Sequence, residues 1–282
     1  MKAHLLLILI CFCLFLTAQD EKHESSALIL IYDASGSMWG QIDGASKNEI
    51  ASAVVTATVA NLPQDQKIGL VAYGHRSKGD CKDVEFLAPT NNTDKSKISA
   101  SLKAIKPLGK TPLAYSATLV IDKLKADKSK ATIILLTDGI ESCDGNLCEV
   151  VRKAKEAGIE FKLHIIGFGL EDGATESLLC AAKEGEGEYF DAADASSLGA
   201  MLQRATSATV DIPNGNFTVF AIKNGKPIDA YIRAFPKSRD EKEVAARTYA
   251  DTAHIYLAPG EWDIEVKPLE QSDVKATTLT NV

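Results

Sequence analysis

Residues 27–37 read ALILIYDASGS, and this stretch decides the fold. Its first six residues are apolar without interruption, which is typical of a strand that is buried on both faces of a sheet. Asp33, Ser35 and Ser37 follow at alternate positions, and Gly36 eases a turn between them. The stretch therefore predicts a buried parallel strand that ends in a loop rich in oxygen atoms.

Strands and helices alternate along the chain after this stretch. The predicted strands lie at residues 67–73, 84–88, 131–137, 160–167 and 188–190, and the predicted helices at 47–62, 94–106, 112–125, 147–157, 175–183 and 195–206. Alternation of helices with strands that are apolar on both faces specifies a doubly wound, mostly parallel α/β sheet of the Rossmann-like class. We expect this domain to span residues 26–206.

The pattern changes after residue 210, where short alternating strands replace the helices. These strands are predicted at residues 217–223, 228–235, 244–249, 254–257, 262–266 and 274–279. The dipeptide Asn224-Gly225 separates two of them and predicts a hairpin turn. We interpret residues 211–282 as a small C-terminal all-β sandwich. The chain ends directly after the last predicted strand, so a truncated sandwich is one interpretation.

The first 18 residues have the three regions of a secretory signal peptide. Lys2 carries a positive charge, residues 5–16 form a run of 12 apolar residues, and Thr17-Ala18 offers a small-residue cleavage site. Twelve apolar residues are too few to cross a bilayer, which needs about 20. We therefore predict a cleaved leader, a secreted or periplasmic mature protein, and no transmembrane segment in the mature chain.

The charge balance of the chain limits its partners. It carries 31 Lys+Arg against 38 Asp+Glu, a net charge of -7. Proteins that bind nucleic acid in bulk need a basic face to neutralise phosphates. The acidic balance therefore excludes bulk binding of nucleic acid, and it is compatible with a metal site rich in acidic residues.

Six cysteines are present, two of them in the predicted leader. The mature chain keeps four, namely Cys81, Cys143, Cys148 and Cys180. In an exported protein, four cysteines indicate two disulfides with three possible connectivities. Zinc is the competing interpretation, because Cys143 and Cys148 are near ligand spacing and the chain also contains His75 and His164. Structural zinc sites usually have tighter Cys-x2-Cys pairs, which favours disulfides.

In open α/β sheets, binding sites lie outside the carboxyl ends of the strands. Three predicted loops at this place carry side-chain oxygen atoms that could bind a metal ion. The first loop holds Asp33, Ser35 and Ser37, and the third holds Asp138 after the strand at 131–137. The second lies between two predicted helices and holds Thr111, which we expect to be the cap residue of the following helix, with Pro112 in its first turn. Hard cations such as Mg²⁺ prefer oxygen ligands. A cation held mainly by neutral hydroxyls stays electrophilic and accepts an incoming carboxylate, which is a mechanism for binding.

These residues resemble the metal-ion-dependent adhesion site of von Willebrand factor type A (vWA) domains, Asp-x-Ser-x-Ser…Thr…Asp. The resemblance covers roughly residues 26–206 and implies that Ser35, Ser37 and Thr111 bind Mg²⁺ (or Mn²⁺ or Ca²⁺) directly. It implies that Asp33 and Asp138 act largely through waters. It also implies the sheet order 3-2-1-4-5-6, with residues 84–88 as an antiparallel edge strand. The C-terminal region is similar to carboxypeptidase-regulatory-like or transthyretin-like sandwiches through residues 257–264.

That strand order favours some pairings of the four cysteines over others. Strands 4, 5 and 6 follow one another in one direction, so their right-handed crossover helices share a face of the sheet. This brings Cys148 near Cys180, while Cys81 and Cys143 both lie in loops at the strand-end edge. We predict the pairs Cys81–Cys143 and Cys148–Cys180, with a local Cys143–Cys148 bridge as the rival.

The function predicted from these residues is an exported, metal-dependent protein-binding module whose cation accepts an Asp or Glu carboxylate from a protein partner. We do not expect an enzyme, because no Gly-x-Ser-x-Gly elbow and no His-Glu-x-x-His occur, and Ala104 stands where a P-loop needs its first glycine. The alternatives are a non-catalytic regulatory or assembly subunit of a secreted or envelope enzyme complex, and an envelope protein that its metal only stiffens.

Overall fold

The computed structural model describes residues 25–170, 175–211, 217–238, 242–248, 252–269 and 276–282. The predicted leader at residues 1–18 lies outside them.

Along the chain the α/β part contains β1 (Ala27–Asp33), a 3-10 turn (Gly36–Trp39), β2 (Gln41–Ile42), β3 (Ala45–Ser46), α1 (Lys47–Asn61), β4 (Ile68–Tyr73), β5 (Val84–Ala88), α2 (Lys95–Ala104), α3 (Leu113–Asp127), β6 (Ala131–Thr137), α4 (Leu147–Glu156), β7 (Phe161–Phe168), α5 (Glu176–Glu184), β8 (Tyr189–Ala192) and α6 (Ala195–Ser207).

The central sheet has the strand order β5-β4-β1-β6-β7-β8. All its pairs are parallel except β4 with β5, which makes β5 the antiparallel edge strand. The predicted mostly parallel sheet, with this order, is confirmed. Because β1 lies between β4 and β6, its carboxyl end meets the carboxyl ends of two neighbouring strands, with Asp33 opposite Tyr73.

Helices cover both faces of the sheet, as a doubly wound fold requires. On β1, Leu30 and Tyr32 pack into a core with α1, α2 and α6, whereas Ile29 and Ile31 pack into a second core with α3, α4 and α5. All four side chains are almost completely buried. The uninterrupted apolar run at 27–32 follows from this position between two helical layers.

The start of α3 differs from the sequence-based expectation. Thr111 was expected as the cap residue, but the helix begins at Leu113 with Pro112 at the cap position, and Pro112 makes no side-chain cap bond. The carboxylate of Glu141, on a neighbouring loop, accepts a hydrogen bond from the backbone N of Ala114 instead (2.8 Å). A carboxylate near a helix N-terminus is favourable because it satisfies a free N–H and opposes the helix dipole. The Thr111 prediction is therefore wrong as a cap.

The C-terminal part is antiparallel and all-β in the described residues. Its strands are β9 (Phe217–Phe220), β10 (Ile222–Lys223), β11 (Lys226–Pro227), β12 (Ala230–Pro236), β13 (Val244–Arg247), β14 (Thr252–Ile255), β15 (Trp262–Pro268) and β16 (Thr277–Leu279). The sheet β13-β12-β15-β16 and the pair β14-β9 share one apolar core that includes Ile232, Trp262 and Ile255. Asn224 and Gly225 both have positive φ and form the predicted turn of the β10–β11 hairpin.

The C-terminal part contacts the α/β part at the amino ends of the parallel strands β1 and β6. Asp211 accepts hydrogen bonds from the backbone N and the hydroxyl of Ser26 (2.8 and 2.7 Å) and pairs with Lys130 (2.9 Å). Ser26 directly precedes β1 and Lys130 directly precedes β6. The C-terminal part therefore connects at the end of the sheet opposite to Asp33.

Two disulfides join Cys81 to Cys143 and Cys148 to Cys180, the pairs that the strand order predicts. The second bond ties α4 to α5, and the first ties the loop before β5 to the loop after β6. The local Cys143–Cys148 bridge and the zinc interpretation are both wrong, because all four sulfur atoms are used in these two bonds. Within the described residues, no helix has both the length and the apolar character to cross a membrane.

Candidate metal centre

Two acidic residues meet at the carboxyl ends of β1 and β6. Asp33 is fully buried, and its Oδ2 accepts hydrogen bonds from the Thr137 hydroxyl (2.9 Å) and the backbone N of Asp138 (3.2 Å). These contacts follow from the pairing of β1 with β6, which places the two strand ends side by side. The first and third predicted loops are thus joined directly.

The two serine hydroxyls connect the acidic residues into one chain of hydrogen bonds. The backbone N of Ser35 donates to Asp33 Oδ1 (2.8 Å), and the Ser35 and Ser37 hydroxyl oxygens lie 2.9 Å apart. The Ser37 hydroxyl donates to Asp138 Oδ1 (2.6 Å). Alternate spacing therefore places the two hydroxyls side by side, and the Ser37 hydroxyl reaches the carboxylate that follows the neighbouring strand.

Thr111 reaches the same place from the loop between α2 and α3. Its backbone N donates to the Ser142 hydroxyl (2.8 Å), and its carbonyl accepts from the backbone N of Ser142 (3.1 Å). A Cβ added at Gly139 would lie 3.9 Å from both the Ser37 and the Thr111 hydroxyl oxygens. The structure thus brings together all five predicted residues, with oxygen atoms from three loops.

A close glycine crossing holds the ligand loops against each other. The backbone N of Gly36 donates to Gly109 O (3.1 Å), and the backbone N of Gly109 donates to Gly74 O (2.7 Å). Gly74 has a φ of 73°, and a Cβ added there would lie 2.5 Å from Lys110 O and 3.1 Å from the Cα of Ser35. Only glycine fits at position 74 without moving the ligand loops.

Because Asp33 and Asp138 are buried, it costs free energy to keep their carboxylates charged. The pKa of Asp33 is raised to about 6, mainly because the carboxyl group is buried and secondly because the charge of Asp138 lies nearby. Burial also raises the pKa of the Tyr73 hydroxyl well above its ordinary range, with the charge of Asp33 adding to the effect. The cluster therefore favours a nearby positive charge.

Lys47, the first residue of α1, supplies one such charge. Its Nζ lies 3.0 Å from Asp138 Oδ2 and donates to Gly169 O at the end of β7 (2.8 Å). Sequence reasoning missed this residue, because a lysine in the first turn of a helix is usually solvated. With one ammonium against two carboxylates, the cluster keeps a net negative charge.

The donor set fits a hard divalent cation. Asp33, Ser35, Ser37, Thr111 and Asp138 offer only oxygen atoms, and the three hydroxyls among them can ligate without adding charge. Mg²⁺, Mn²⁺ and Ca²⁺ all prefer such oxygens, so the residues present fit each of these ions.

The two histidines considered with the cysteines have structural contacts. His164 is buried in β7, where its Nε2 lies 2.8 Å from Ala208 O and its Nδ1 accepts from the backbone N of Glu188 (3.1 Å). His75 Nε2 lies 3.1 Å from a carboxylate oxygen of Glu85 on the edge strand. Neither contact involves a predicted metal ligand.

Replacing Lys47 with methionine is expected to tighten divalent binding at least tenfold. The ammonium competes with the cation for Asp138, and charges a few ångströms apart interact by roughly 1–4 kcal/mol near a protein surface. The free energy of unfolding without metal should fall, because the Asp138 carboxylate loses its partner. Calorimetric titration with Mg²⁺ and Mn²⁺ measures the affinity, with Lys123→Met on α3 as the charge-matched control. Equal or weaker binding by Lys47→Met contradicts this prediction.

Comparison with known proteins gives a family match for the α/β part. Residues 28–141 match the family model of the von Willebrand factor type A domain. The chain is 31% identical over 186 residues to the uncharacterized protein YwmC of Bacillus subtilis (strain 168), a match that covers 62% of this chain and 80% of YwmC. It is 28% identical over 181 residues to YwmD of the same organism, covering 61% and 81%.

A solved structure, the von Willebrand factor type A protein from Catenulispora acidiphila, has a similar fold. The TM-score is 0.54 at 15% identity, and the match covers 92% of this chain. This chain spans 65% of that protein. At this identity the likeness concerns the fold alone.

Proposed function

The chain belongs to the von Willebrand factor type A domain family, and on that premise we propose that its three loops hold a divalent cation through which it captures a protein partner. Domains of this family mediate protein interactions. The partner presents an Asp or Glu carboxylate, and the protein acts as a binding module without catalysis. We further propose that it is exported, which its two disulfides support.

One observation carries this proposal: the continuous chain of contacts Asp33–Ser35–Ser37–Asp138, with the Thr111 hydroxyl beside it. Isolated serines and aspartates after strands are ordinarily turn formers. Here oxygen atoms from three separate loops converge at one strand edge, and the two carboxylates are buried. Buried carboxylates are costly unless positive charge compensates them, and the single ammonium of Lys47 leaves the cluster with a net negative charge that a divalent cation would balance.

Each residue has a distinct task in this proposal. Ser35, Ser37 and Thr111 hold the cation through neutral hydroxyls. Asp33 and Asp138 orient these hydroxyls and the backbone N–H groups, and they supply the negative charge. The bound cation supplies a Lewis-acidic position for the partner's carboxylate. The C-terminal β region, which we interpret as transthyretin-like, serves as a spacer or a second contact.

Removing both serine hydroxyls is expected to weaken Mg²⁺ binding roughly thirtyfold, since each hydroxyl contributes about 1 kcal/mol. The variant is Ser35→Ala/Ser37→Ala, and Ser99→Ala on α2 is the control, because its hydroxyl donates to Lys95 O within the same helix. Calorimetric titration measures Mg²⁺ affinity. Melting curves with Mg²⁺ and with EDTA show whether the cation stabilises the folded protein.

Capture is tested with displayed peptide libraries that carry a fixed central Glu or, as the control, a fixed central Gln. We expect the native protein to enrich Glu peptides in Mg²⁺ but not in EDTA, and the double serine variant to enrich neither. If Mg²⁺ binds and stabilises the protein while Glu and Gln peptides are enriched equally, the cation only stiffens the loops and the proposal is wrong.

A further inference from the structure

Each of the three ligand loops exposes one large apolar side chain. Trp39 follows Ser37 by two residues and is 54% exposed, Leu108 precedes Thr111 by three and is 43% exposed, and Ile140 follows Asp138 by two and is 46% exposed. We call these three residues the apolar collar. A single exposed apolar residue is ordinary, but this set has one member on every loop of one candidate site.

The backbone and the hydrogen bonds hold the first two collar residues in place. The indole Nε1 of Trp39 donates to Pro107 O (2.8 Å), so its ring is fixed against the neighbouring ligand loop while half of it stays exposed. The backbone N of Leu108 lies 3.0 Å from Ala34 O and 3.1 Å from Gly74 O. Both side chains therefore project from a fixed backbone.

Ile140 lies on an equally constrained loop. The backbone N of Gly139 donates to the Thr137 hydroxyl (3.2 Å), and the Glu141 carboxylate accepts from the backbone N of Cys143 (2.8 Å). Cys143 is also joined to Cys81. Side chains that are already positioned lose little conformational entropy when a partner covers them. A fixed aromatic or aliphatic anchor is the kind of residue on which interface free energy concentrates.

The charges beside the collar match an acidic partner. Lys106 and Lys110 flank Leu108 in sequence, and both side chains are exposed. A segment that brings one carboxylate to the cation meets apolar surface and further positive charge around it. Complementary charge of this kind speeds association and selects the partner's register.

We propose that the apolar collar docks a protein segment in which an Asp or Glu is flanked by large apolar side chains. The carboxylate faces the cation, and the flanking side chains cover Trp39, Leu108 and Ile140. This inference rests on the proposed function, since it takes the cation as the anchor of the carboxylate. It adds the chemical class of the partner: an acidic residue within an apolar stretch.

The test uses the full chain and a displayed peptide library with a fixed central Glu and randomised neighbours, selected in Mg²⁺. The collar variant is Trp39→Ala/Leu108→Ser/Ile140→Ser. The control variant, Leu179→Ser/Phe220→Ser/Ile222→Ser, removes three exposed apolar side chains on α5, β9 and β10, outside the ligand loops. Mg²⁺ affinity, measured by calorimetry for each protein, shows that the metal centre is intact.

We expect the native and control proteins to enrich Leu, Ile, Phe or Trp beside the central Glu. We expect the collar variant to keep its Mg²⁺ affinity, to lose this enrichment, and to bind the selected peptides at least tenfold more weakly. Enrichment of Glu peptides without apolar neighbours, or apolar enrichment that persists in the collar variant, overturns this inference and leaves the proposed function standing. If the native protein selects no peptides in a Mg²⁺-dependent way, both are wrong.

Discussion

Replacing Gly74 with alanine is expected to lower the free energy of unfolding by about 3 kcal/mol and to weaken Mg²⁺ binding at least tenfold. A positive φ costs a residue with a Cβ about 1–2 kcal/mol, and forcing an atom into a packed site costs about 1–3 kcal/mol more. The new methyl group would meet Lys110 O at 2.5 Å and the Cα of Ser35 at 3.1 Å. It therefore pushes apart the loops that carry Thr111 and the two serines.

Gly79→Ala is the matched control for this variant. Gly79 lies on the same stretch between β4 and β5, and a Cβ added there meets no atom within 4 Å. Denaturant unfolding gives the stability of both variants, and calorimetric titration gives their Mg²⁺ affinity. A Gly74→Ala protein that matches Gly79→Ala in both measurements would show that the glycine crossing does not position the ligand loops.

Removing either disulfide is expected to cost about 4 kcal/mol of unfolding free energy, but only one removal should weaken the metal centre. The bonds close loops with sequence separations of 62 and 32 residues, for which chain entropy predicts similar losses. Cys81–Cys143 fixes the loop whose Ser142 hydroxyl accepts from the backbone N of Thr111. Cys148–Cys180 joins two helices on one face of the sheet.

The two double variants, Cys81→Ser/Cys143→Ser and Cys148→Ser/Cys180→Ser, serve as controls for each other. We expect Mg²⁺ affinity to fall roughly tenfold in the first and to stay within twofold of the native value in the second. Denaturant unfolding checks that the stability losses are comparable. Equal Mg²⁺ affinities in the two variants would mean that the loop keeps its position without the Cys81–Cys143 bond.

The sequence predicts the fold well because its strands have an unambiguous pattern. The runs at 27–32 and 133–136 are apolar without interruption, and this is how strands between two helical layers are built. Spacing also locates the ligand loops, because parallel strands place their carboxyl ends at one edge. Strand order, once implied by the family resemblance, is enough to rank the cysteine pairs.

Contacts between residues distant in the chain are what the sequence does not reveal. Lys47 reads as an ordinary helix residue, and its contact with Asp138 depends on how α1 packs against the edge of the sheet. Gly74 is one of 19 glycines, and only the crossing of the loops singles it out. The mistaken cap at Thr111 has the same origin, because local propensity favoured threonine whereas Glu141 arrives from another loop.

The attachment of the C-terminal region at Asp211 has a mechanical consequence. A partner bound at the cation as proposed and the contact between Ser26 and Asp211 lie at opposite ends of β1. Tension transmitted through this contact runs along β1, which pairs with β4 over residues 28–33 and with β6 over residues 27–32. The backbone hydrogen bonds on both sides then resist in shear, all together, rather than peeling apart one by one.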